Sequence, residues 1–180
     1  MQNKIVITGG PGTGKSTLID ELIKRNYNCM PEISREISTM AKKNGIEQLF
    51  LKNPILFSEM LLEGRENQYK MASNLDSDLI FFDRGIPDIL AYMNYISIDY
   101  PPIYQDKSMK YRYNTIFITP PWEEIYITDE VRYENFEQSL AIFNHLKRTY
   151  QLLDYQLIEV PFGTINFRTD FILNTLSINK

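Results

Sequence analysis

Short apolar runs alternate with longer amphipathic stretches along this chain. Short runs rich in β-branched residues are typical of strands, and amphipathic stretches between them are typical of helices. The apolar runs occupy residues 5–8, 28–30, 79–82, 115–119 and 157–160. This alternation predicts an α/β fold with a five-stranded parallel sheet flanked by helices.

Two long helices are predicted from a capping signal and from the spacing of apolar residues. Asn53-Pro54 supplies an N-cap residue followed by proline at the first helical position, and it predicts a helix that ends near Asn74. A second helix is predicted from near Thr128, with Tyr150 in the core. The residues that share one stripe of this helix are Phe136, Leu140, Phe143, Lys147 and Tyr150.

The loop after the first run reads Gly-Gly-Pro-Gly-Thr-Gly-Lys-Ser and matches G-x-x-x-x-G-K-[ST] at every defined position. In such a loop the backbone N–H groups surround phosphate oxygens, Lys15 reaches the β- and γ-phosphates, and the Ser16 hydroxyl ligates Mg²⁺. A chance glycine-rich turn is the alternative, but a strand before the loop and a helix after it favour nucleotide binding. The predicted nucleotide contacts are Gly10, Pro11, Gly12, Thr13, Gly14, Lys15, Ser16 and Thr17.

Composition and charge exclude several classes of protein. The 180 residues fit one domain over 1–180, and the net charge of −4 without a long basic block predicts no nucleic-acid partner. One cysteine, Cys29, predicted in a buried strand, favours a reducing compartment. No apolar stretch approaches the ~18 residues that a membrane span needs, so we expect a cytoplasmic protein. The basic residues predicted on a solvated loop are Lys107, Lys110 and Arg112.

Two charged residues follow the third apolar run, where ligands of parallel sheets bind. Asp83 is the acidic residue that a magnesium-phosphate site needs, so Asp83 and Ser16 are the predicted metal ligands. Arg84 could bind a phosphoryl oxygen or a substrate hydroxyl. A turn with a surface ion pair is the alternative, but the phosphate loop favours a functional role.

The second apolar run is followed by Pro-Glu-Ile-Ser-Arg-Glu. Glu32 falls where the γ-phosphate would point, so it could orient or deprotonate an acceptor hydroxyl. Arg35 lies one helical turn later and is predicted to face the same cleft. The alternative is that Glu32 only favours the helix N-terminus and Arg35 is its partner.

Residues 120–135 are predicted to form a lid, because they join a strand to a long helix and carry an arginine. Closure would exclude water and bring Arg132 to the developing charge. An exposed helical arginine is the alternative for Arg132. Trp122 could pack on a substrate ring or anchor the lid against the core.

Together these motifs resemble a family of small predicted ATPases, usually labelled AAA-type, that look like P-loop kinases and are similar to the ribosylnicotinamide kinase domain of NadR. The resemblance implies a nucleoside-kinase-like fold of the P-loop NTPases, with strand order 2-3-1-4-5. It also implies that Glu32 and Asp83 flank the acceptor site, that Arg132 belongs to the lid, and that the turn at residues 161–164 lies near the adenine.

The leading hypothesis is an ATP- and Mg²⁺-dependent phosphotransferase acting on a small hydroxyl-bearing substrate, such as a nucleoside, a nucleotide or a related metabolite. In this hypothesis the predicted catalytic residues are Lys15, Glu32, Arg35, Asp83, Arg84 and Arg132. The alternative is a nucleotide-binding regulatory ATPase or GTPase switch without a small-molecule acceptor. A motor ATPase is less favoured, since 180 residues leave little room for the added helical domain it needs.

Overall fold

The protein is described by a computed structural model that covers residues 2–126 and 135–178. Its centre is a sheet of five parallel strands in the order β2-β3-β1-β4-β5, as expected from the sequence. The strands are β1 (Asn3–Gly9), β2 (Asn28–Met30), β3 (Leu79–Asp83), β4 (Thr115–Thr119) and β5 (Leu157–Glu159).

Helices cover both faces of this sheet. They are α1 (Lys15–Lys24), α2 (Ser34–Lys43), α3 (Leu49–Lys52), α4 (Pro54–Ser73), α5 (Pro87–Tyr95), α6 (Ile103–Lys110), α7 (Phe136–Leu152) and α8 (Ile165–Ile178). The start of α4 is as predicted, because the Asn53 side chain accepts a hydrogen bond from the Leu56 N–H and Pro54 is the first helical residue. Among the described residues, no helix is long and apolar enough to cross a membrane.

Alternate residues of the strands enter two separate cores. Phe82 belongs to the core beneath α4, α5 and α7, whereas its neighbour Phe81 belongs to the core beneath α1 and α8. This division follows from the period of two along a strand, which points successive side chains to opposite faces. Burying each large apolar side chain contributes about 1.5–3 kcal/mol, so both helical layers are fixed to the sheet.

Three local expectations were wrong. Lys107 and Lys110 lie on α6 rather than on a loop, because Pro102 precedes a helical turn that continues to Lys110. Leu140 is exposed, since α7 buries its neighbour Ser139 instead. Cys29 lies in a strand as predicted but is only half-buried. The predicted helix start at Thr128 lies outside the described residues.

Candidate active site

The phosphate loop joins β1 to α1 and is shaped by glycines with positive φ. Gly12 and Gly14 have φ values of +74° and +79°, which residues with a Cβ adopt only with strain. A Cβ at Gly14 would also lie 2.8 Å from a guanidinium nitrogen of Arg168. Inside the loop, the Thr13 hydroxyl donates to the Gly10 carbonyl at 3.0 Å. The glycines and this internal hydrogen bond therefore define the shape of the loop.

Lys15 is buried within this loop. Its Nζ donates to the Gly10 carbonyl at 2.8 Å. The pKa of Lys15 is lowered to about 7, mainly by burial and in part by the charge of Arg84, whereas Asp83 and Glu32 oppose the shift. A bound triphosphate would replace the carbonyl as the partner of the ammonium and would favour its charged form.

Glu32 and Arg84 meet at the ends of the neighbouring strands β2 and β3. The Nε of Arg84 donates to the Glu32 carboxylate at 2.5 Å, and a guanidinium nitrogen of Arg65 lies 3.6 Å from the same carboxylate. Burial alone would raise the pKa of Glu32, but Arg84, Arg65 and the Ser34 N–H outweigh burial and lower the pKa to about 2. Glu32 is thus an ionised, oriented hydrogen-bond acceptor at neutral pH.

A buried carboxylate, Asp88, fixes the backbone beside Arg84. Asp88 accepts hydrogen bonds from the Thr8 hydroxyl at 2.5 Å, the Tyr150 hydroxyl at 2.6 Å and the Gly85 N–H at 2.9 Å. Arg84 NH1 lies 3.4 Å from the same carboxylate. Asp88 therefore connects β1, α7 and the turn that carries Arg84.

Asp83 and Ser16 fit the predicted magnesium site. Asp83 is 6% exposed, and its Oδ1 has no hydrogen-bond partner among the described residues. Burial, aided by the negative charge of Glu32, raises the pKa of Asp83. Both Asp83 and the exposed Ser16 line the same cleft. Mg²⁺ is commonly held by one or two such protein oxygens plus substrate phosphates, and no cluster of three or more metal-type residues occurs in the described ranges.

A cleft of about 1050 Å³ brings most of the predicted site residues together. Those that line it are Pro11, Gly12, Thr13, Gly14, Lys15, Ser16, Thr17, Glu32, Arg35, Asp83 and Arg84. Gly10 does not, because it is buried beneath the loop, where a Cβ would lie 2.7 Å from the Ser139 hydroxyl. Arg132 and the lid residues 127–134 lie outside the described residues.

Apolar and aromatic side chains line the walls of the same cleft together with the polar ones. These walls come from α3, α4 and α5 and include Phe50, Leu51, Phe57, Leu61, Tyr92 and Met93. The ring of Tyr92 also lies 5.5 Å from the Arg84 guanidinium carbon. The cleft therefore combines the phosphate loop, Glu32 and Arg84 with apolar and aromatic walls.

A second cavity of about 400 Å³ lies beside the same loop. Trp122 lines it and stacks on Phe162, with ring centroids 5.0 Å apart. Trp122 thus packs on the exposed ring of Phe162, and both its contact with a substrate ring and its anchoring of a lid stay predictions. The residues lining this cavity are Gly12, Gly14, Thr17, Trp122, Ile125, Gly163, Ile165 and Arg168.

Sequence reasoning missed three buried charged residues at the site: Arg65, Asp88 and Arg168. For two of them the sequence held a usable signal: a charged residue was spaced as if it belonged to the apolar stripe of a helix. Arg65 follows Leu61 by four residues, and Arg168 precedes Ile172 by four, so each lies on the buried face of its helix. Asp88 gave a weaker signal, because an acidic residue in a first helical turn is ordinary.

The fold is shared with several kinases of known structure. Deoxyadenosine kinase from M. mycoides with dCMP and dCDP bound is 20% identical, with TM-score 0.72, over 97% of this chain and 98% of that chain. The NadR protein in complex with NR is 15% identical, with TM-score 0.75, over 97% of this chain and 50% of that chain. Thymidylate kinase from Candida albicans is 16% identical, with TM-score 0.69, over 99% of this chain and 92% of that chain.

Sequence comparisons give the family. No curated protein matches significantly. The profile of one family, described as an AAA domain, matches residues 4–168, which include the phosphate loop, Glu32, Asp83 and Arg168. The match spans most of the 180 residues. The chain therefore belongs to this AAA domain family, and its fold is that of the nucleoside- and nucleotide-kinase-like P-loop NTPases.

Proposed function

We propose that the protein is an ATP- and Mg²⁺-dependent phosphotransferase that acts on a small hydroxyl-bearing acceptor, such as a nucleoside or a nucleotide. The observation that carries this proposal is the position of Glu32. Its carboxylate, held by Arg84 and Arg65, lines the same cleft as the phosphate loop. An ATPase switch could use such a carboxylate to orient water, but it has no need of apolar walls such as Phe57 and Tyr92 in the same cleft.

The apolar lining of the cleft supports the proposal that the acceptor is a small organic molecule. A ring packed against walls such as Phe57 and Tyr92 would be removed from water, which favours binding by roughly 25 cal/mol per Å² of apolar surface. Its hydroxyl would then point back toward Glu32. The kinases with the same fold include a deoxyadenosine kinase and a thymidylate kinase, and these relatives support an acceptor of the same general class.

In the proposed step, the acceptor hydroxyl forms a bond to the γ-phosphorus as the bond to the β–γ bridging oxygen breaks. Glu32 orients the hydroxyl and accepts its proton late in the reaction, which suits a carboxylate of low pKa. Lys15 and Arg84 stabilise the charge that develops on phosphoryl oxygens. ADP leaves with the bonding electron pair. Mg²⁺, held through Ser16 and Asp83, would neutralise charge on the β- and γ-phosphates.

The test is an acceptor screen. The purified protein is incubated with Mg²⁺ and γ-labelled ATP in the presence of nucleosides, nucleoside monophosphates and related hydroxyl metabolites. We expect label to appear in one acceptor class at a rate well above background hydrolysis. If the protein binds ATP but only releases labelled inorganic phosphate with every acceptor, the kinase proposal is wrong and the regulatory switch is favoured.

A further inference from the structure

We infer that the acceptor carries a phosphate group in addition to the hydroxyl that is phosphorylated, and that Arg35 and Lys42 of α2 bind this phosphate. The inference deepens the proposed function and rests on it, because it narrows the acceptor from small hydroxyl compounds to phosphorylated ones. The phosphate of the acceptor is a binding group and takes no part in the transfer step.

One face of α2 lines the large cleft with polar and cationic side chains. The members of this α2 face are Arg35, Ser38, Thr39 and Lys42. The last three follow Arg35 by three, four and seven residues, a spacing that places all four on the same side of a helix. Seven residues span about 10 Å along a helix axis. The α2 face is therefore long enough to contact a substrate group at some distance from Glu32.

The core determines which side of α2 faces the cleft. Ile37 and Ala41 lie one turn apart on the opposite side of the helix, and both are buried in the same core as Phe82. A rotation that turned Arg35 and Lys42 away from the cleft would bring these apolar side chains into water, which is unfavourable. The cationic side chains are thus directed toward the cleft by the packing of the helix.

Arg35 and Lys42 form no ion pair with any of the described residues. The nearest carboxylate along the chain, that of Glu32, is already held by Arg84 at 2.5 Å. Glu47, in the loop after α2, lines the same cleft but forms no ion pair in the described part of the chain either. A chain with a net charge of −4 therefore presents two unpaired cations to its cleft, and an anionic group of the ligand can pair with both.

The α2 face begins beside the proposed point of transfer. The Ser34 N–H donates to the Glu32 carboxylate at 3.1 Å, which places this carboxylate at the N-terminus of α2. An acceptor whose hydroxyl is held by Glu32 thus has the α2 face extending away from the reacting oxygen, with Lys42 two turns beyond Arg35. A guanidinium can bind two oxygens of one phosphate, and an ammonium binds phosphate as a point charge. This pair of residues suits a phosphate group better than a neutral sugar or base.

Calorimetry measures acceptor binding without transfer. The phosphate loop is first filled with saturating Mg–ADP, so that a test anion does not bind there. The protein is then titrated with nucleoside 3′- and 5′-monophosphates and with ribose 5-phosphate, each beside its unphosphorylated parent. We expect at least one phosphorylated compound to bind about tenfold more tightly than its parent and to lose this advantage at high salt. If none binds more tightly than its parent, the inference is wrong.

Two neighbouring lysines provide a matched control. Lys42→Gln removes a cation that lines the cleft, whereas Lys43→Gln removes an exposed cation that does not. We expect Arg35→Gln and Lys42→Gln each to weaken binding of the phosphorylated compound about tenfold and to leave binding of the parent within about twofold, with Lys43→Gln like wild type. Equal losses for the phosphorylated compound and its parent, or no loss, would overturn the inference. If circular dichroism shows that Arg35→Gln does not fold, the exposed Lys42 carries the test.

The product of transfer separates this inference from the proposed function. The bond to the γ-phosphorus forms at the acceptor hydroxyl, so we expect a bisphosphate in which the original phosphate is unchanged. Phosphorus NMR distinguishes it from a diphosphate, and a diphosphate product would overturn the inference. If a neutral nucleoside is phosphorylated as efficiently as any phosphorylated compound, the proposed function stands and the inference fails. If phosphorylated compounds bind through Arg35 and Lys42 but no acceptor gains phosphate, the binding site stands and the proposed function fails.

Discussion

Arg84 donates a hydrogen bond to the carboxylate of Glu32 across 52 positions of sequence. The two residues meet because β2 and β3 are parallel neighbours, so that the segments after both strands leave the same edge of the sheet. Arg84 has a φ of +75°, a conformation that costs a non-glycine residue about 1–2 kcal/mol. The ion pair with Glu32 and the contacts to Asp88 hold the backbone in this strained form, which is typical of functional sites.

Replacing Arg84 by lysine tests the value of this geometry. Lysine keeps the charge and pays the same backbone cost, but it cannot reach Glu32, the Gly9 carbonyl and Asp88 together as the guanidinium does. We expect a loss of about 2 kcal/mol in the free energy of unfolding and a drop in kcat of roughly 10²-fold. Urea unfolding and transfer assays measure the two effects. Arg148→Lys, the same substitution on the exposed side of α7, is the control. An Arg84→Lys variant as stable and active as this control would contradict the role of Arg84.

Asp88 is expected to control stability more strongly than any single partner of its carboxylate. Asp88→Ala removes the acceptor for Thr8, Tyr150 and Gly85 and should cost about 3–5 kcal/mol. Tyr150→Phe removes one of these hydrogen bonds and should cost about 1 kcal/mol. Chemical denaturation of both variants measures the two losses in the free energy of unfolding. Similar losses in the two variants would show that the Tyr150 hydrogen bond dominates and that the other contacts of Asp88 contribute little to stability.

Local signals in the sequence predicted the features that depend on neighbouring residues. The phosphate loop, the Asn53 cap and the strand–helix alternation are of this kind, and all are present in the structure. Asp88 could not be predicted in its role, because its partners Thr8 and Tyr150 are 80 and 62 positions away. The exposure of Leu140 was missed for a similar reason. The Ser139 hydroxyl binds the Pro11 carbonyl, so a polar residue of α7 faces the loop.

Nucleotide binding should be linked to protonation of Lys15. Its pKa in the free protein is lowered to about 7 by burial, and bound phosphates would raise it again. Above that pH the free protein has lost the proton that the complex requires, so binding takes up a proton and affinity falls by up to about tenfold per pH unit. Below that pH Lys15 is already protonated in the free protein, so its titration should make affinity depend little on pH. Calorimetry near pH 8 in buffers of different ionisation enthalpy measures the uptake, with Lys15→Met as control. Buffer-independent heats in the wild type would contradict this prediction.

Arg35 is predicted to act on the acceptor side. It is exposed at the start of α2 and lines the large cleft but not the smaller cavity. We expect Arg35→Gln to raise the KM of the acceptor by about tenfold while ADP affinity and folding stability stay unchanged. The neighbouring Glu36, also exposed and absent from the lining of the cleft, provides the control Glu36→Gln. If the acceptor KM stays the same in both variants, Arg35 belongs to the solvated surface.

The most direct test of the proposed function is the replacement of Glu32 by glutamine, with phosphoryl transfer and ADP affinity measured on the same preparation. Glutamine keeps the shape of the side chain but cannot accept the hydroxyl proton. We predict a fall in kcat of about 10²–10⁴-fold, with ADP binding within about twofold of wild type because the phosphate loop is untouched. Unchanged transfer in the folded variant would remove Glu32 from the reaction and contradict the account.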